Sequence, residues 1–223
     1  MKSKILYIVA MCVLCVAAMT SCNEEEAFEY GDFCYDMVTY EGDNGDRSVF
    51  SYQAYDDSPL VTLTASNMNR PGMVKGQRLL LNYIVENDLG DNTKVVEVKG
   101  FSKVTTDTIE ILPQAELDGF KSDEVKVKSV WRTGNYINVR CMLEYTEKPR
   151  RLFLATSGIP GEDGIVPMYQ IQDLMGAQTF YWLETYLSYY IAPVWENEEV
   201  AGVRYNAVDL SWPEAKYYDF MKY

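Results

Sequence analysis

From residue 32 onward the sequence alternates between short runs rich in aromatic and β-branched residues and clusters of Gly, Asn, Asp or Pro. Short runs bounded by such turn residues are typical of β-strands. The turn at residues 42–46 contains an Asn-Gly pair, which tolerates the positive φ angles of a tight hairpin. The pattern therefore predicts an all-β chain.

The predicted strands fall into two groups separated by a linker. The first group lies at residues 33–40, 48–55, 60–64, 77–85 and 93–104. Residues 112–124 lack β character and carry chain breakers, so we place the boundary between two domains there. Five short strands at this spacing predict an OB-like five-stranded barrel at residues 32–111.

The second group of strands predicts a C-terminal β-sandwich, without helices, at residues 125–223. Its clearest element is a hairpin that turns at residues 133–135. The segment at residues 180–191 is ambiguous. Its Tyr, Trp and Thr content favours a strand, whereas Leu183, Leu187 and Tyr190 would also line one face of a helix. We predict a strand.

Residues 1–21 have the pattern of a secretory signal peptide. Lys2 and Lys4 give a basic start, and an uninterrupted apolar core follows at residues 5–18. This core is shorter than the ~20 residues that a membrane-spanning helix needs. A cleaved signal peptide is therefore favoured over a retained transmembrane anchor.

Cys22 directly follows this segment, and the residues before it resemble the bacterial lipobox. In that motif the cysteine thiol is acylated and the chain is cut so that the cysteine becomes its first residue. Met19 occupies the place where the motif usually has Leu. We predict a lipoprotein whose Cys22 carries acyl chains such as palmitate, each contributing ~0.8 kcal/mol of membrane affinity per buried CH₂. The alternative is an ordinary cleaved signal peptide with an accidental cysteine.

Residues 22–31 form an acidic tether without apolar periodicity. The NEEE run at residues 23–26 resembles the segments that direct Bacteroides-type lipoproteins to the outer face of the outer membrane. We accordingly expect an outer-membrane lipoprotein of a Gram-negative bacterium, exposed at the cell surface. The alternative is a solvated linker that leaves the protein facing the periplasm.

Composition excludes several classes of function. The chain has 33 Asp and Glu against 20 Lys and Arg, a formal charge of −13, so we expect no nucleic-acid partner. It has no histidine. For a chain acting alone this excludes Ser-His-Asp and Cys-His catalysis and His-ligated zinc. We therefore expect no cofactor and no enzymatic activity, although carboxylate, Lys, Tyr or Cys chemistry remains open.

Cys34 and Cys141 remain in the mature chain beside Cys22. In an oxidising compartment the two could form a disulfide. They fall in different predicted domains, however, and a cysteine that packs as a small apolar residue is the commoner outcome. We expect them to stay unlinked.

Acidic turns could supply oxygen ligands for calcium. The candidate ligands are Asp43, Asn44, Asp46, Asp56, Asp57, Asp88 and Asp91. None of these clusters fits the twelve-residue calcium loop with its closing glutamate. Solvated turns explain them as well, so we predict no metal site.

Several tyrosines of the first domain could form a stacking surface, because OB-type surfaces bind oligonucleotides and oligosaccharides through exposed aromatic rings. They are Tyr35, Tyr40, Tyr52, Tyr55 and Tyr83. The charge of the chain argues against an oligonucleotide but not against a neutral glycan. The alternative is that these rings pack partly buried, with a hydroxyl at the surface. The aromatic run at residues 180–190 has the same ambiguity.

The order of these features resembles the NigD-like lipoproteins. The resemblance rests on the lipobox cysteine and on DFCYDMVTYEGDNG at residues 32–45, VKGQRLLLNYIV at 74–85, VKSVWRTGNYINVR at 127–140 and YNAVDLSW at 205–212. It implies an OB-type N-terminal part and a sandwich-like C-terminal part. It also suggests an immunity-type role, because the family takes its name from a protein encoded beside a bacteriocin. Only Cys22 is carried over as a functional residue.

Two classes of function remain. The first is a non-enzymatic, membrane-tethered binding or protective protein that contacts a protein, peptide or glycan at the cell envelope. The second is an accessory enzyme that uses carboxylates on an envelope polysaccharide. Converging carboxylates in a cleft would favour the second, and an exposed aromatic or apolar patch without them would favour the first.

Overall fold

Strands make up most of the described part of the molecule. The structure, a computed structural model, describes residues 33–66, 73–209 and 216–222. Within these ranges it contains fourteen strands and two single-turn helices. The strands are β1 (Phe33–Asn44), β2 (Arg47–Tyr52), β3 (Val61–Ser66), β4 (Arg78–Gly90), β5 (Thr93–Lys103), β6 (Thr105–Thr108), β7 (Glu110–Ile111), β8 (Lys126–Thr133), β9 (Tyr136–Thr146), β10 (Arg151–Thr156), β11 (Ile165–Asp173), β12 (Thr179–Tyr190), β13 (Gly202–Ala207) and β14 (Tyr217–Met221). The helices are α1 (Gln114–Leu117) and α2 (Ala192–Trp195).

The predicted N-terminal features lie outside these ranges. The signal peptide at residues 1–21, the acylated Cys22 and the tether at residues 22–31 therefore stay predictions. Within the described ranges, neither helix has the length and apolar character needed to cross a bilayer.

β1 to β5 form a closed barrel in the order β1-β2-β3-β5-β4. Neighbouring strands are antiparallel except β3 and β5, which are parallel. This confirms the predicted OB-like barrel. Alternate residues of β4 point inward, which buries Leu79, Leu81 and Tyr83 against Phe50 and Leu63 in the barrel core.

The other nine strands form the two sheets of a β-sandwich, as predicted. One sheet has the order β14-β13-β11-β10-β7, and the other has the order β6-β12-β9-β8. The core between them includes Val139 and Leu187 from the four-stranded sheet and Leu154, Val166 and Val203 from the five-stranded sheet.

The ambiguous segment at residues 180–191 is a strand, as predicted. β12 pairs with β9 along nearly its whole length, from Thr179 opposite Thr146 to Tyr190 opposite Tyr136. Leu187 and Tyr189 point into the sandwich core, whereas Tyr186 and Ser188 point to the other face. The period of two therefore prevails over the helical spacing of the leucines.

The last barrel strand, β5, ends at Lys103. Residues 105–111 belong to the first domain in the sequence-based division, but here they pair with sandwich strands. β6 is parallel to β12, and β7 is parallel to β10. Their partners lie far away in sequence, so composition alone carries no sign of these pairings. The barrel and the sandwich belong to one compact unit.

Two helical turns lie between the strands. α1 lies in the predicted linker, whereas α2 directly follows β12 in the sandwich, which was wrongly predicted to lack helices. Pro193 lies in the first turn of α2, where its fixed φ angle suits a helix and its missing N–H costs no hydrogen bond. The α2 turn brings Trp195 against the guanidinium of Arg132, at 4.2 Å from the ring centroid.

The loop between β2 and β3 docks the barrel onto the β8–β9 hairpin of the sandwich. The backbone N–H of Asp56 donates to the carbonyl of Arg132 at 2.9 Å, and that of Gly134 donates to the carbonyl of Asp56 at 2.7 Å. The Arg132 side chain, only 1% exposed, donates to both Asp57 carboxylate oxygens at 2.8 and 2.6 Å. This bidentate geometry is the strongest form of such a pair.

Two other acidic turn residues, Asp43 and Asp88, also have structural partners. The carboxylate of Asp43 accepts hydrogen bonds from Tyr40 and Ser48 at 2.7 and 2.8 Å. The carboxylate of Asp88 accepts the backbone N–H of Gly90 at 2.9 Å. In the described part of the chain no group of three or more acidic or cysteine side chains is placed to hold a metal ion.

We expect Asp57→Ala to lower the free energy of unfolding by about 2 kcal/mol, because it removes the bidentate carboxylate of the buried Arg132 cation and leaves only the longer contact to Asp56, at 3.7 Å. The loss is at the low end for buried pairs because the Asp57 side chain is 68% exposed. Urea denaturation measures it. Asp46→Asn, at an exposed turn of the same barrel, is the control and should change stability little. Equal stabilities of the two variants would contradict this docking role.

The same pair should make stability depend on acid. Hydrogen bonding to Arg132 lowers the pKa of Asp57 below the ordinary value of 3.8. A lowered carboxyl pKa in the folded state stabilises the protein above the unfolded-state pKa, and this contribution disappears as the pH falls through the folded-state pKa. The difference in unfolding free energy between wild type and Asp57→Asn should therefore be full at neutral pH and shrink below pH 3.8. A difference independent of pH would show that the charge of Asp57 is not what matters.

Candidate functional site

Cavities line the seam where the barrel meets the four-stranded sheet of the sandwich. Two of them, of 350 and 240 Å³, share the side chains of Tyr35, Leu80 and Tyr186, and we call these two the aromatic groove. A third, of 270 Å³, is lined by Arg78, and we call it the arginine pocket. The arginine pocket shares Tyr52 with the aromatic groove. A position between two folded parts is typical of ligand sites, and the largest of these cavities lies at the lower end of their usual volumes.

The register of the four-stranded sheet explains which sandwich residues line the groove. Tyr186 pairs with Arg140 across β12 and β9, so both side chains point to the same face. Trp131 pairs with Asn138 across β8 and β9 and joins that face. The barrel covers only part of it. Asn138 is fully buried beneath the barrel, whereas Arg140 remains exposed.

An apolar cluster forms the floor of the aromatic groove. Met37, Leu80 and Val104 are buried there, and Trp131 and Tyr186 pack against them while keeping part of their surface exposed. The rim carries Tyr35, whose side chain is 58% exposed. The partly exposed rings above this apolar floor present flat apolar faces, and each ring of Tyr or Trp also carries a polar group at its edge.

Charged groups at the rim are already paired. Arg140 donates to Glu184 at 2.8 Å, and its guanidinium lies 5.9 Å from the centroid of the Tyr186 ring. This hydrogen bond holds the pKa of Glu184 below its usual range, while burial raises the pKa of Tyr186. The other lining carboxylate, Asp36, accepts a hydrogen bond from the Tyr83 hydroxyl at 2.8 Å. At neutral pH Glu184 is therefore an ionised acceptor and not a proton donor.

The arginine pocket contains a buried polar network that joins barrel and sandwich. Arg78, 4% exposed, starts β4 in the barrel. Its guanidinium donates to Ser188 at 3.3 Å, to Thr39 at 3.1 Å and to Asn138 at 3.1 Å. The same guanidinium lies 4.6 Å from the centroid of the Tyr136 ring.

The structure divides the predicted tyrosine surface. Tyr40 and Tyr83 are buried in the barrel core, so they offer no stacking face. Tyr35 and Tyr52 line the groove, while Tyr55 is 67% exposed outside the three cavities. The stacking hypothesis is therefore wrong for Tyr40 and Tyr83, because inward alternation on β1 and β4 places them in the core, and it stays a prediction for the exposed rings.

The aromatic run at residues 180–190 is likewise divided. Tyr186 lines the groove and Tyr190 lines the arginine pocket. Tyr189 is buried, and Tyr181 stacks on Tyr145 at 5.0 Å on an exposed part of the sandwich.

Sequence reasoning missed the contributions of Arg78, Arg140 and Trp131 to the site. A charged residue directly before the apolar run LLL at residues 79–81 is the sign that could have drawn attention to Arg78. Cys34 and Cys141, in contrast, lie on β1 and β9 as their predicted domains required, and no disulfide joins them. Burial raises the pKa of Cys141 to about 12, so its thiol is inert at neutral pH.

No protein-family model and no curated protein matches the sequence. Solved structures do share the fold. A protein of unknown function from Bacteroides vulgatus is 21% identical, with a TM-score of 0.66 over 85% of this chain and 90% of its own. A candidate lipoprotein from Bacteroides fragilis is 11% identical, with a TM-score of 0.61 over 85% of this chain and 97% of its own.

A NigD-like immunity protein from Bacteroides caccae is 16% identical, with a TM-score of 0.56 over 87% of this chain and 99% of its own. Each alignment spans both the barrel and the sandwich of this chain, because each covers most of its length. At these sequence identities the comparison shows a shared fold and nothing more. The resemblance to NigD-like proteins that the sequence predicted is thus confirmed at the level of the fold.

Proposed function

We propose that this chain is a non-enzymatic lipoprotein of the cell envelope that binds a ligand in the aromatic groove. The observation that carries the proposal is the groove itself, where Tyr35, Trp131 and Tyr186 present partly exposed rings over an apolar floor. Rings with polar tips suit a ligand that has both flat apolar faces and hydroxyls, as a sugar ring has. An oligosaccharide is accordingly the ligand class that we propose.

The charged groups of the groove support binding rather than catalysis. A glycosidase needs a carboxylic acid whose pKa is raised so that it can protonate the leaving oxygen. Glu184 has the opposite shift, because Arg140 stabilises its ionised form. An accessory enzyme acting on polysaccharide is therefore the less favoured proposal.

The envelope location is supported by the sequence and by the fold neighbours. The signal peptide and Cys22 have the lipobox pattern, and a candidate lipoprotein shares the fold. We propose acylation at Cys22, attachment to the outer membrane and exposure at the cell surface. An immunity-type role would be a narrower case in which the bound ligand is a peptide toxin, and the NigD-like immunity protein with this fold supports it.

Acylation is tested by changing Cys22 to Ala. We expect the wild-type protein in the membrane fraction, with an intact mass that includes acyl chains, and the variant in the soluble fraction without them, because the thiol is the attachment point. Protease treatment of whole cells then separates the surface location from the periplasmic one. A wild-type mass without lipid would remove the anchoring proposal.

Groove binding is tested with an exposed ring. Tyr35→Ala should leave the unfolding midpoint nearly unchanged, because Tyr35 is 58% exposed. It should weaken oligosaccharide binding about fivefold to tenfold, the amount expected from the loss of one stacked ring. A glycan array followed by calorimetry on the best oligosaccharide measures both steps.

Tyr55→Ala is the matched control, since Tyr55 is another exposed tyrosine of the barrel that lies outside the groove. It should bind like wild type. Equal weakening by both variants, or retention on a peptide array with no glycan bound, would count against an oligosaccharide in the groove.

A further inference from the structure

Two arginines are buried at the seam, and the described residues provide a carboxylate for only one of them. Arg132 has the bidentate partner Asp57. Arg78 is buried to a similar degree, since the exposed fraction of the whole residue is 4% for Arg78 and 2% for Arg132. Among the described residues no carboxylate lies within ion-pair distance of Arg78. A buried cation is costly unless an anion compensates it.

The neutral partners of Arg78 do not use all of its donors. A guanidinium has five N–H groups. Three of them donate to Ser188 from Nε, to Thr39 from Nη1 and to Asn138 from Nη2. One N–H on each terminal nitrogen is left over within the described structure. A carboxylate that binds an arginine in bidentate fashion takes one N–H from each of two nitrogens.

The arginine stays charged at neutral pH although burial removes it from water. Burial lowers the pKa of Arg78 to about 10, and the electrostatic interaction with Tyr136 opposes this shift. The group therefore carries its positive charge under physiological conditions, at the wall of a cavity of 270 Å³. Within a chain of formal charge −13, the arginine pocket is a local exception to the overall sign of charge.

The rest of the pocket wall is rich in side-chain hydroxyls and amides. Besides Arg78, it includes Thr39, Ser51, Gln53, Asn135 and Tyr190. Such groups match the hydroxyls of a sugar ring. Capture of a peptide C-terminus relies instead on a nest of backbone N–H groups, and the backbone N–H of Gly134 in this wall already donates to Asp56.

We propose that the arginine pocket binds the carboxylate of an acidic sugar, a uronate, while a neighbouring ring of the same oligosaccharide lies in the aromatic groove. The two cavities share Tyr52, Gln53 and Thr133, so one short chain of sugars can occupy both. This inference rests on the proposed glycan binding and adds the chemical class of the sugar.

The test compares three probes on the wild-type protein at constant ionic strength. D-glucuronate, D-glucuronamide and D-glucose differ chiefly in whether they carry a carboxylate, a neutral amide or neither. We expect calorimetry or saturation-transfer NMR to show glucuronate binding at least about tenfold tighter than the other two, as a charge-assisted bidentate pair requires. Glucuronate should also raise the unfolding temperature, because it binds the folded state. This comparison needs no variant.

Variants locate the site. Arg78→Lys keeps the charge but loses the planar fork, so it should weaken glucuronate binding about tenfold. Arg151→Gln is the control, because Arg151 is an exposed arginine of β10, outside the groove and the arginine pocket. It should leave glucuronate binding unchanged. If Arg78→Lys does not fold, the amide comparison on wild type still decides.

Other outcomes overturn the inference in distinguishable ways. Equal affinity for glucuronate and glucuronamide removes the carboxylate role while leaving glycan binding intact. Binding of N-acetylalanine in place of glucuronate shows a peptide carboxylate and removes the sugar. If neutral oligosaccharides also fail to bind, the proposed function fails together with this inference.

Discussion

Burial of two cations between the barrel and the sandwich is the constraint on which the arrangement of this molecule depends. Charged groups are rarely removed from water unless their hydrogen bonds are replaced. The guanidinium of Arg132 donates to the Asp57 carboxylate and lies against the Trp195 ring. The guanidinium of Arg78 donates only to neutral oxygens and lies against the Tyr136 ring. Both sets of contacts need side chains from both parts of the protein, so the two arginines hold the seam in register.

The seam in turn produces the candidate site. The outer face of the four-stranded sheet is longer than the area that the barrel covers, so polar residues near Asn138 are buried and those near Arg140 are not. Aromatic rings at this margin pack on one side and face solvent on the other. The site thus arises from incomplete coverage of a sheet, and its shape depends on barrel and sandwich together.

Much of the fold could be predicted from local patterns. Turn residues delimited the barrel strands and the β8–β9 hairpin, and aromatic content correctly identified β12 as a strand. β11 has no clear strand pattern in the sequence, because Pro167 and the glutamines Gln170 and Gln172 make it look unlike a buried strand. Pro167 lies opposite Arg204 of β13, beyond the residues of β11 that pair with β10, and both glutamines donate to backbone carbonyls. The candidate site was harder, since Tyr35 and Trp131 meet only through the packing of barrel on sandwich.

The parallel pairing of β6 with β12, and of β7 with β10, also has a consequence for the order in which the chain folds. Every barrel pairing joins segments between residues 33 and 103, so the barrel needs no downstream sequence. β6, by contrast, cannot pair until β12 is present, because Thr105 lies opposite Leu187. The entropic cost of closing such a long loop comes before the stabilising contacts form, which slows folding. A chain emerging from its N-terminus would therefore complete the barrel first and keep the sandwich edges open until β12 has emerged.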